Sequence, residues 1–72
     1  MKKLIDNVAT KKVADALVVG VQDQYGFDLE IEYTKESGFN LSITTEALDW
    51  ERDRIYHFVL GMKKGLQLAQ NL

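Results

Sequence analysis

From Phe27 to Thr45 apolar and polar residues alternate along the chain. The first half reads Phe27-Asp28-Leu29-Glu30-Ile31-Glu32-Tyr33 and the second Phe39-Asn40-Leu41-Ser42-Ile43-Thr44. A period of two predicts two strands, each with one buried and one wet face. A five-residue loop from Thr34 to Gly38 would set Tyr33 opposite Phe39, Ile31 opposite Leu41 and Leu29 opposite Ile43. The other face would then pair Glu32 with Asn40, Glu30 with Ser42 and Asp28 with Thr44. A slip of one residue would place acids against apolar groups, so the pattern itself selects the register. Gly38 suits a positive φ at the end of the loop.

On both sides of this hairpin the period changes. Ile5, Val8, Ala9, Val13, Ala16 and Leu17 recur at three- and four-residue spacing, which predicts one helix over Met1 to Tyr25. Gly26 follows where a helix end favours a left-handed residue. The β-branched run Leu17-Val18-Val19-Gly20-Val21 is poor helix material and offers an alternative, a short strand at 17–21 pairing with the first hairpin strand. From Glu46 to about Asn71 the spacing is helical again. Thr45 or Thr44 is the expected cap, with Glu46 and Asp49 at the positive end of the dipole. Leu48, Ile55, Val59, Met62, Leu66 and Ala69 form the stripe expected to cover the hairpin, and Asp49 with Arg52 and Glu51 with Arg54 are one-turn ion pairs. Gly61 and Gly65 mark either a close helix crossing or a break before a short final helix, 66–72.

The expected fold is therefore α+β, in the order α-β-β-α, a two-stranded antiparallel hairpin packed on two helices; the alternative with a strand at 17–21 is α-β-β-β-α. Seventy-two residues make one domain, near the size at which a single core is only just sufficient. The chain has no Cys and one His, so a disulfide framework or a metal centre is not expected, and no residue pattern calls for a cofactor. A homodimer, with the sheet extended edge to edge or the last helices paired, is the expected source of further stability. The net charge of −2 argues against general affinity for nucleic acid or a membrane surface, and there is no long apolar run. A soluble, intracellular, cytoplasmic protein is expected.

Two surfaces are candidates for function. Asp28, Glu30 and Glu32 would line one face of one strand with neutral partners opposite, a row of negative charge for a basic or nucleic-acid-binding partner. On the last helix, Trp50, His57, Leu60 and Leu68, with Tyr56 and Phe58 beside them, carry apolar character beyond a single stripe. Trp50, Arg54, Tyr56 and His57 form the candidate contact surface, since aromatic residues and Arg anchor interfaces.

Lys2, Lys3, Lys11 and Lys12 are the corresponding candidates for a nucleic-acid-binding regulator, sparse for that purpose. A ligand pocket between two chains, making the protein a small-molecule sponge, is a further alternative. Asp53 and His57 are four apart on one helical face, the spacing at which a carboxylate could orient an imidazole base. With no nucleophile motif or phosphate loop beside them, no catalytic residue is assigned. In size, acidity and lack of Cys, the whole chain resembles small accessory proteins of bacteria and phages that act by binding. That resemblance implies a non-catalytic module inhibiting a host enzyme or defence system.

Overall fold

The computed structural model describes residues 2–44 and 46–70, with the side chains of Thr44, Gln67, Ala69 and Gln70 outside the description. In chain order the elements are β1 (Lys2–Val8), α1 (Lys11–Tyr25), β2 (Glu30–Thr34), β3 (Gly38–Thr44) and α2 (Asp49–Gln70). The fold is α+β. Its sheet has three antiparallel strands in the order β1-β3-β2, so the hairpin gains a third strand from the start of the same chain.

That strand corrects the expectation of one helix from Met1 to Tyr25, and with it the α-β-β-α order. The reason lies in a β-bulge. Between Leu4 and Asp6, β1 advances two residues while β3 advances one, from Ser42 to Leu41. Ile5 and Asp6 both turn toward the helices as a result, and the buried positions of β1 become Ile5 and Val8. Their spacing of three imitates a helical period, although the strand simply changed phase. Thr10 then starts α1: its backbone is extended (φ −126°, ψ 148°) and its Oγ1 accepts a hydrogen bond from the N–H of Val13 at 3.3 Å.

The stretch 17–21 lies within α1, so the alternative strand there is absent. Tertiary packing overrides its weak propensity. Leu17 and Val21 are wholly buried, and Gly20 lies so close to α2 that a Cβ would stand 2.6 Å from Met62 Sδ. The helix ends as expected on Gly26, left-handed at φ 74°, whose N–H donates to the carbonyl of Gln22.

From Glu30 onward the hairpin register is the expected one, with Ile31 opposite Leu41, Glu32 opposite Asn40 and Tyr33 opposite Phe39; the ladder starts at Glu30, so the expected pairs Leu29–Ile43 and Asp28–Thr44 are not part of it. Thr34 and Gly38 pair as well, which leaves a loop of Lys35 to Ser37. Both helices pack on one face of the sheet, α2 against β1 and α1, and α1 against β3 and β1. Leu17, Val21, Leu41, Ile43, Ile55 and Val59 make the dry centre, and no polar side chain is buried among the described residues. Neither helix packs substantially over β2.

α2 begins at Asp49 rather than Glu46. Thr45 lies outside the described residues; the capping contact present is from the Leu48 N–H to Glu51 Oε1 at 2.9 Å. Glu51 therefore serves the cap, and among the described residues the expected Glu51–Arg54 ion pair is absent, whereas Asp49 and Arg52 do pair. Leu48 is exposed rather than part of the stripe, Ile55 and Val59 are fully buried, and Met62 and Leu66 half-buried; the side chain of Ala69 is outside the description. The helix is continuous through Gly61 and Gly65, and a Cβ at either would meet open space. The close crossing expected there is made by Gly20 instead, and there is no break.

Candidate functional site

The sheet separates the candidate residues into groups. Glu30 and Glu32 project from β2 on the face away from the helices, beside Ser42 and Asn40 of β3. Asp28 precedes the strand and faces back toward α1. With the Gln22 amide oriented to satisfy both its ends, its nitrogen donates to Phe27 O at 3.1 Å and to Asp28 Oδ1 at 2.5 Å.

The acids are also less isolated than the hairpin alone implies. β1 places Lys2 on the same open face, where its ammonium forms an ion pair with Glu30 across the central strand. Bonding to Glu30, together with the negative charge of Glu30 and Glu32, holds the Lys2 pKa above its ordinary value of 10.5. Only a strand at residues 2–8, not a helix there, brings this counter-charge beside β2.

Trp50, Arg54 and His57 lie on the helical layer, on the opposite side of the domain from Glu30 and Glu32. Their spacing of four and three puts them on one face of α2, directed away from Ile55 and Val59. Trp50 is 60% exposed and does not fold back over its own core. Among the described residues Arg54 pairs with no acid. His57 Nε2 lies 3.6 Å from Asp53 Oδ1, and both side chains are well solvated. General-base chemistry relies on an enclosed, desolvated pair, and neither of these side chains is enclosed.

Tyr56 turns to the flank facing β1. The residue is 40% exposed, and its ring sits edge-on to His57 at 5.6 Å. With Lys3, Leu4, Asp49, Arg52 and Asp53 it lines an open cleft of about 330 Å³ between the start of β1 and the first turns of α2. Phe58, the other aromatic of this group, turns inward instead and packs edge-on against Tyr25 at 5.4 Å.

Two of the four candidate lysines are engaged by acids. Lys2 is taken by Glu30, and Lys11 lies 3.3 Å from Asp15 on its own helix. Among the described residues no group of three or more His, Cys, Asp or Glu could hold a metal ion, and no helix is long and apolar enough to cross a membrane.

Sequence reasoning missed the exposed apolar residues at the sheet margins. Leu4 stands exposed at the β1 edge, and Ile31 and Tyr33 are exposed on β2 although their alternation marks them as inward-facing. Alternation identifies the face a residue occupies and carries no information on whether a helix covers it.

The fold and these surfaces define a small α+β domain with a helix-covered and a helix-free sheet face. In comparison with known proteins, the chain matches no family model, no curated protein and no solved structure.

Proposed function

We propose that this domain is a non-catalytic binding module that docks another protein, with Trp50, Arg54, Tyr56 and His57 on α2 as the principal contact. The observation that carries this reading is the exposure of Trp50 on a helix whose opposite side is already sealed by Ile55 and Val59. Tyr56, Leu60 and Leu68 are exposed on the same helix, so this apolar surface is not consumed by the domain's own core. Exposed aromatic side chains beside an Arg without an acidic partner are the usual anchors of protein contacts.

Glu30 and Glu32, on the other side of the domain, form a second surface suited to a basic partner. Asp28, engaged by Gln22, contributes less to it. A role as an inhibitor carried by a phage or mobile element fits a short acidic domain that acts only by binding. The pairing of Lys2 and Lys11 with acids disfavours the nucleic-acid regulator.

The test is affinity capture from the native host with wild-type protein and with the Trp50→Ala/Tyr56→Ala variant, thermal unfolding being measured on both. Loss of a captured protein from a variant of unchanged stability supports the reading; identical captures on both overturn it. Light scattering on the same pair identifies self-association. A dimer that becomes monomeric in the variant makes a second copy the partner of this surface, the expected homodimer.

A further inference from the structure

We infer that the outer edge of β2 is a strand-addition site, and that its occupant is an extended protein segment in which Lys or Arg alternates with apolar residues. The inference rests on the reading of the domain as a protein-binding module and names the chemistry of a partner at its second surface.

The two edges of the sheet differ. At β1 the edge is blunted: the bulge interrupts its pleat, Lys2 and Lys3 lie at its start, and Lys63 Nζ donates to the carbonyl of Asn7 at 3.0 Å. β2 has none of these devices. It pairs with β3 in unbroken register from Glu30 to Thr34, and no backbone partner occupies its other side among the described residues. Five residues span about 17 Å, enough for a complete added strand.

The side chains of β2 specify what that strand carries. On the helix side, Ile31 is 36% and Tyr33 61% exposed, the latter resting on Phe39 with ring centres 5.0 Å apart. A strand placed outside β2 continues this apolar strip. On the open side its alternate residues fall opposite Glu30 and Glu32, so opposite charge is required there.

A second copy does not meet this requirement. In an antiparallel pair centred on Glu32, that residue opposes its own copy. Centring on Ile31 sets Glu30 against Glu32 twice, and centring on Tyr33 pairs only Glu32 to Thr34, placing Thr34 opposite Glu32 and leaving Glu30 beyond the ladder. The register that pairs the whole strand, and the one displaced toward its start, confront carboxylates, and none offers Glu30 or Glu32 an opposite charge, so self-pairing is disfavoured against a basic segment.

A peptide of three Lys-Val repeats is the probe, with a Glu-Val peptide and a Lys-Val peptide N-methylated along one edge as controls. By NMR, the Lys-Val peptide is expected to shift and protect from exchange the amides of Glu30 to Thr34. The Glu-Val and N-methylated peptides are expected not to bind. Glu30→Lys with Glu32→Lys should weaken the Lys-Val peptide by about tenfold or more. Lys2→Gln, which removes the intramolecular competitor for Glu30, should tighten it.

Equal binding of the N-methylated peptide, shifts confined to the cleft beside Tyr56, or no shift at millimolar peptide would overturn the inference. If the peptide fails while the Trp50→Ala/Tyr56→Ala variant still loses a captured partner, strand addition falls and the binding-module reading stands. If that variant also captures everything the wild type does, both fall.

Discussion

Lys63 and Asp6, 57 residues apart, meet across the domain at 3.3 Å, and the same ammonium reaches the carbonyl of Asn7 at 3.0 Å. The last helix thereby holds the first strand at its bulge. The two side chains are 23% and 17% exposed, so this pair is screened less than a surface salt bridge. Lys63→Met keeps the stem and removes the charge. It should cost about 1–2 kcal/mol, read by urea denaturation, and should speed hydrogen exchange in β1 relative to β3. A Lys63→Met/Asp6→Asn cycle isolates the pair; additive losses would mean that the charges do not cooperate.

The parts of the fold that could be read from the sequence are those in which local pattern and tertiary role coincide. Alternation in residues 27–44 has one register that keeps acids off the core, and β2 and β3 adopt it. Gly26 ends α1 because the chain must reverse at a left-handed residue there. β1 was hidden because the bulge spaces Ile5 and Val8 as a helix would, and because the Lys63 contact that holds it comes from the far end of the sequence. The candidate surfaces divide in the same way. The excess of aromatic residues on α2 is local and legible, whereas the counter-charge of Lys2 depends on the hidden strand. The exposure of Ile31 and Tyr33 depends on a helix layer that stops short of β2.

Trp50 and Ile55 lie on opposite sides of α2, and substitutions there should separate binding from folding. Ile55 is wholly buried, so Ile55→Ala should lose about 2–5 kcal/mol in urea denaturation. Trp50→Ala should change stability by no more than about 0.5 kcal/mol. Trp50 is the sole Trp, and its exposure makes a direct probe. Its fluorescence should be quenched readily by iodide in the free protein, with a blue shift and protection when a partner covers α2. Resistance to iodide in dilute, monomeric protein would contradict its exposed position.

Glycines at two kinds of position should respond in opposite directions to alanine. Gly61 and Gly65 have negative φ and open space where a Cβ would go. Gly61→Ala and Gly65→Ala should each stabilise by about 0.5–1 kcal/mol through lower backbone entropy in the unfolded chain. Gly38 is left-handed at φ 80°, and a Cβ there would stand 2.8 Å from the carbonyl oxygen of Val8. Gly38→Ala should destabilise by about 1–3 kcal/mol, since the obstacle is backbone. Chemical denaturation of the three variants decides this. A destabilising Gly61→Ala would indicate a chain packed against the outer side of α2.

The raised pKa of Lys2 has a defined signature at alkaline pH. Bonding to Glu30 favours the ammonium in the folded state, whereas the unfolded chain titrates near 10.5. Between that value and the higher folded pKa, the folded protein holds more protons than the unfolded one. The contribution of the ion pair is therefore complete below 10.5 and is lost as the pH rises through the folded pKa. NMR titration of the Lys2 side chain should give a midpoint above 10.5 in the wild type and nearer to it in Glu30→Gln. High salt should shrink the difference, because both groups stand in water. Identical midpoints in the two proteins would mean that Lys2 and Glu30 do not meet in solution, and that the negative charge on β2 has no intramolecular partner.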